Sequence, residues 1–145
     1  MKNLELETEA IQIGIYSNIV MNILKINSHL SVNKIALFSF LIKKDKFKLG
    51  KIYTANNSQD VVCKAISMIS GEYENYCKEI VFILKTIHLL IQDCKVENKG
   101  HLLSLCEGIT IEKALYPISA FIEKAIEESN KMTDRQFMKE VTSNV

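Results

Sequence analysis

EYENYCKEIVFILKTIHLLIQ (residues 72–92), followed by DCKVENKGHLLSLC (residues 93–106), is the stretch that decides the fold. In the first piece Glu74, Lys78, Lys85, His88 and Gln92 recur at spacings of 4, 7, 3 and 4, which stacks them on one face of a helix. Ile80, Ile83, Ile87 and Ile91 fall on the opposite face, with aromatic residues beside them. This is the strongest helical pattern in the chain. The second piece changes period. Cys94 and Val96 alternate with polar neighbours, and Glu97–Gly100 has the composition of a turn, so residues 93–106 read as a β-hairpin. Gly100 can take the positive φ that such a turn needs.

A helix followed by a hairpin is the outline of a winged-helix unit, and the flanking sequence supplies further helices. Residues 9–26 read as a helix whose polar positions, Asn18, Asn22 and Lys25, form one thin stripe. A helix this apolar is buried on most sides, in its own fold or against a partner. Ser31 is suited to cap a second helix, residues 32–44. The centre of that segment, IALFSFLI (35–42), would also suit a buried strand, but the cap and the closing pair Lys43–Lys44 favour a helix. Residues 45–57 lack a helical period and read as a loop. A third helix is expected from Ser58 to about Ser70, with Gly71 separating it from the next.

Downstream, residues 111–129 read as an amphipathic helix. Leu115, Ile118, Ile122 and Ile126 lie on one face, and Pro117 either kinks the helix or marks its true first turn. Thr133-Asp134-Arg135-Gln136 is a capping box that opens a short last helix to about Val141. The expectation is a mainly α fold: one compact helical domain over residues 1–145, with five to six helices. The small β-hairpin lies at about 93–106, winged-helix-like, and the C-terminal helical segment at about 111–142.

Composition agrees. The 145 residues are 48% hydrophobic and 24% charged, which excludes a disordered tail. One Pro and five Gly favour long helices over a many-turned sandwich. The longest nearly unbroken apolar run, Ile35–Ile42, is far short of the ~20 residues of a membrane span. The four cysteines (Cys63, Cys77, Cys94, Cys106) include no C-x-x-C pair. With an acidic beginning that has no apolar signal core, they read as free thiols in a reducing cytoplasm.

No constellation points to catalysis. His29, His88 and His101 are far apart, with no i, i+4 pair to hold a metal. Cys63 and Cys77 read as core residues, and alternation in the hairpin explains the one near pair, His101 with Cys106. There is no phosphate-binding Gly-rich loop and no nucleophile elbow. The reading is a non-enzyme that needs neither cofactor nor metal. A small nuclease or toxin whose acids converge only in three dimensions is the enzyme-class rival.

The net charge is +1, but it is uneven. Lys43, Lys44, Lys46, Lys48 and Lys51 place five lysines in nine residues, interrupted by Asp45 and Phe47. Such a cluster can neutralise phosphates without selecting sequence, although a solvated helix end explains it equally simply. Residues 72–92 have no Arg and only one Asn and one Gln of the kind that read base edges from a recognition helix, and Arg135 is the only arginine in the chain.

The acidic lead-in and apolar helix to Ile26, SVNKIALFSFLIKK (31–44), the helix and hairpin at 72–106, and KMTDRQFMK (131–139) form one layout. Over nearly all 145 residues it resembles the middle-component proteins of bacterial ABC three-component systems. In particular it resembles the small third subunit of Lamassu antiphage systems. The resemblance implies a non-catalytic accessory or adaptor subunit. Its partners would be an SMC-like coiled-coil ATPase and an effector, often a nuclease, with at most indirect or non-specific DNA contact. These proteins have no catalytic signature, so no functional residue carries over. A dimeric winged-helix transcriptional regulator is the alternative.

Overall fold

The computed structural model describes residues 2–45 and 58–144. The elements, in order, are α1 (Lys2–Ile26), β1 (Leu30–Ser31), α2 (Val32–Asp45), α3 (Ser58–Ser67), α4 (Tyr73–Gln92), β2 (Val96–Lys99), β3 (Leu102–Leu105), α5 (Ala120–Ser129) and α6 (Asp134–Ser143). The fold is mainly helical, with one small antiparallel sheet of order β1-β3-β2. Helix, strand, helices and then a hairpin whose second strand pairs back with the first is the order of a winged-helix unit. Here α3 is inserted before α4, and α5 and α6 are appended.

α2 is the centre. Every residue from Lys34 to Ile42 is buried, and the helix packs against α1, α4, α5 and α6. A helix enclosed on all sides cannot show a 3.6-residue polar stripe, which is why IALFSFLI also suited a strand. Ser31 caps it as expected, its Oγ accepting from the Lys34 N–H at 3.3 Å. α1 contributes Tyr16, Ile19, Val20, Ile23 and Leu24 to the same core. Phe137 of α6 packs its ring 5.7 Å from that of Phe38. Thr133 and Gln136 form the capping box that the sequence announces.

Three expectations are corrected. α1 begins at Lys2 rather than residue 9, since Glu5, Glu7 and Glu9 favour the positive end of the helix dipole and no breaker intervenes. The hairpin turn falls at Gly100–His101 instead of Glu97–Gly100. Lys99 pairs with Leu102, and the two residues between them have φ of +57° and +68°, the geometry of a two-residue type I′ turn. The third correction is the largest: residues 107–119 are not helical, and α5 starts only at Ala120. Pro117 supplies no N–H and biases its predecessor toward extended backbone. Ser119 then caps α5 by accepting from the Ile122 N–H. Leu115, assigned by periodicity to a buried face, is 63% exposed. Smaller shifts end α3 at Ser67 and start α4 at Tyr73.

Candidate interaction surfaces

The outward side of α4 lies opposite its buried Tyr76, Ile83, Ile87 and Leu90. It presents Lys78, Lys85, His88 and Gln92, as the polar spacing requires. It also presents Val81 (49% exposed), Leu84 (45%) and Leu89 (40%), and Leu102 on the wing is 40% exposed. In a winged helix this is the side offered to DNA, yet here it carries aliphatic side chains and few donors for base edges. A second apolar region is the first half of α1, where Leu4, Leu6 and Ile11 are each more than 60% exposed.

The lysine cluster divides. Lys43 is drawn back onto the domain. Its ammonium lies 2.6 Å from the Glu79 carboxylate and 2.5 Å from Gln12 Oε1, and 5.1 Å from the centre of the Tyr16 ring. Burial, with the Glu79 carboxylate beside it, pushes the Tyr16 hydroxyl far above the usual phenol range. Lys44 reaches Glu72 at 3.3 Å and lies 5.8 Å from the Phe40 ring centre. Lys46, Lys48 and Lys51 lie outside the described residues.

The histidines have individual explanations. His29 and His101 both have φ of +68°, a region His tolerates better than most side chains. His29 donates its N–H to the Leu103 carbonyl, which aligns β1 on β3, and His101 completes the hairpin turn. His88 is on the exposed side of α4. None of the four cysteines is in a disulfide. Cys77, read as core, is exposed, because Tyr76 rather than Cys77 faces inward at that turn. Burial and the nearby Glu140 carboxylate push the Cys63 thiol up, away from a reactive thiolate, and burial also raises Cys106. Among the described residues no three His, Cys, Asp or Glu side chains converge to hold a metal ion.

Two polar clusters hold the appended segments; periodicity marked the α1 stripe as polar but named no partner for it, and gave no hint of the other. Lys34, almost fully buried, donates to the carbonyls of Ser129 at 2.8 Å and Met132 at 2.7 Å. Desolvation lowers its pKa. Beside it Asp134 accepts from Ser31 at 2.5 Å and Asn33 at 2.7 Å. The second cluster is the polar stripe of α1. Asn18 donates to the Lys113 carbonyl and accepts from the Leu115 N–H, and Asn22 donates to the Glu112 carbonyl. These amides satisfy an extended strap of backbone that has no sheet partner.

Two clefts remain. One, of about 440 Å³, lies between α3, α5 and α6, with Lys131, Gln136, Lys139 and Glu140 on its wall. The other, of about 210 Å³, lies under the strap. Among the described residues no helix is long and apolar enough to cross a membrane. Compared with known proteins, the chain matches no family model, no curated protein and no solved structure.

Proposed function

We propose that this chain is a non-catalytic adaptor that works in the cytoplasm by binding other proteins. Its partners are an SMC-like coiled-coil ATPase and that ATPase's effector, in a bacterial antiphage complex. The observation that carries the binding role is the outward side of α4. Val81, Leu84 and Leu89 stand in water at the position where a DNA reader places hydrogen-bonding side chains. The sequence layout motivates the choice of partners.

The test is co-purification with the product of an adjacent reading frame that carries Walker motifs and a long coiled coil. Val81→Glu with Leu84→Glu should abolish recovery of the ATPase while the variant remains folded. Undiminished recovery overturns the role of this surface. Replacing Lys46, Lys48 and Lys51 by Glu leaves the internally paired Lys43 and Lys44 intact. It should make the salt dependence of DNA binding by the whole complex shallower, by about 0.9 in log–log slope for each phosphate that is no longer neutralised.

The regulator reading draws on one specific observation, the winged-helix strand order β1-β3-β2 with a helix directly before the wing. It requires sequence-selective duplex binding by the isolated protein. The adaptor reading requires weak binding that ignores sequence. A salt titration on two unrelated duplexes separates them.

A further inference from the structure

Cys94 is the residue at which the chain leaves α4 and turns into the wing. Its N–H donates to the Ile91 carbonyl, and the N–H of Lys95 donates to the Leu90 carbonyl, the bonding of a Schellman helix stop. That stop needs a positive φ, which glycine or asparagine ordinarily supplies. Here a cysteine supplies it, at φ +59°. The turned backbone also decides where the thiol goes. Unbroken alternation would place Cys94 on the side of Val96, which is buried, but the turn leaves Cys94 exposed.

Cys106 follows the other strand of the wing. Its N–H donates to the Lys95 carbonyl at 3.0 Å, which continues the register of Val96 on Leu105 by one pair. Cα atoms joined across such an antiparallel bond are about 5.5 Å apart, and Cys94 is offset from Lys95 by about 3.8 Å, so the Cα atoms of Cys94 and Cys106 are about 6–7 Å apart. Disulfides span roughly 4.4–6.8 Å between Cα atoms. The two thiols are already within electrostatic reach, since burial, the Glu97 carboxylate and the Cys94 thiol together raise the Cys106 thiol above its usual range. Cys77 is about 25 Å from Cys94 along α4, and Cys63 lies on α3 beside Glu140. Cys106 is therefore the thiol that Cys94 can meet.

We infer that Cys94 and Cys106 form a redox switch that closes reversibly to a disulfide and pins the base of the wing to the end of α4. The co-reactant is a small disulfide of the glutathione class. The exposed Cys94 loses its proton, and its sulfur attacks the oxidant and releases one thiolate. Cys94 then rotates about its Cα–Cβ bond, away from the Gln92 carbonyl that its sulfur faces at 3.9 Å. The Cys106 sulfur, losing its proton in turn, displaces the second thiolate. Two protein thiols are oxidised to one S–S bond, one oxidant disulfide is reduced to two thiols, and the two protons go to the released thiolates. The closed ring holds the whole hairpin and sits at the root of the strap. This inference concerns the redox state of the chain and is independent of the adaptor reading.

The experiment equilibrates the reduced full chain in glutathione buffers of rising disulfide fraction, blocks the remaining thiols and measures the mass. Wild type should lose two hydrogens as a single chain and give one unreduced peptide joining Cys94 to Cys106. Circular dichroism should be unchanged, and amide exchange across residues 94–106 should slow. Cys63→Ser with Cys77→Ser should oxidise in the same way. Cys106→Ser should stop at a glutathione adduct on Cys94, and Cys94→Ser should form no bridge. Thiols that stay free in fully oxidising buffer overturn the inference, and so does a wild type in which Cys94 keeps its glutathione adduct. A bridge that uses Cys63, Cys77 or a second chain, or one that forms only in denaturant, overturns it equally.

Discussion

Replacing Lys34 by Met should destabilise the protein by about 3 kcal/mol, and the magnitude follows from what its ammonium touches. The side chain crosses from α2 to the carbonyls of Ser129 and Met132, in the turn that links α5 to α6. Carbonyls at the end of a helix have no intrahelical donor and carry the negative end of its dipole, so a buried cation there is well placed. Met has nearly the same length and fills the same space, so the change isolates the polar contribution. Losing a hydrogen bond to a charged group costs roughly 1.5–3 kcal/mol, and two are lost here, although the Ser129 carbonyl keeps the Met132 N–H as a second donor. Against this, burying an ammonium carries a desolvation cost of several kcal/mol, which Met avoids. Two such losses come to about 3–6 kcal/mol. The relief is limited, because the buried amine can shed its charge in the direction its lowered pKa already takes, whereas Met replaces neither hydrogen bond, and about 3 kcal/mol remains. In a chain of this size about 3 kcal/mol corresponds to a fall in Tm of about 6–12 °C. With a urea m-value of about 1–3 kcal/mol/M, the midpoint falls by about 1–3 M. Urea denaturation at pH 7, followed by circular dichroism, measures it directly. A loss below about 1 kcal/mol would refute the argument, since the ammonium would then be no better than a methyl group.

Burial pushes the Tyr76 hydroxyl up to about 12 and raises Tyr16 further, so stability should be intact below about pH 10 and fall as pH rises past it, by at most about 1.4 kcal/mol per pH unit per group. Lys34 acts in the opposite sense below its ordinary value, where losing the proton relieves a burial cost. Urea midpoints at pH 9, 10 and 11 check the slope, and Tyr76→Phe should make it shallower; an unchanged slope excludes Tyr76 as a contributor. Asn18→Ala should free the strap at a cost of about 1–2 kcal/mol, seen as faster hydrogen exchange of the Leu115 amide, and unaltered exchange would show that the amide does not hold it. Gly100→Val puts a β-branched side chain at a φ of +57° and should cost about 1–2 kcal/mol in thermal denaturation; no loss would refute the type I′ turn.

The sequence alone determined the elements whose signals are local. The polar stripe of α4 survives into the structure because one side of that helix is solvated. The Thr133–Gln136 box and the Ser31 cap are readable because capping involves residues only three apart. The hairpin was readable from its alternation, although its turn was displaced because nothing in the spacing reveals that His101 accepts a positive φ. Tertiary structure decided what depends on residues distant in the chain. β1 is a two-residue strand that exists only because β3 lies beside it. The periodicity of residues 111–129 was real but lost its first half to Pro117 and to two α1 amides roughly ninety residues upstream. Lys43 counted as a member of a basic cluster until Glu79, from another helix, paired with it. Nothing local to residues 32–44 sets Lys34 apart, and its role comes from α5 ending against it. A charge or an amide in the sequence does not name its partner. Only packing brings that partner within 3 Å, and there the same group changes from surface decoration to the tie between two parts of the fold.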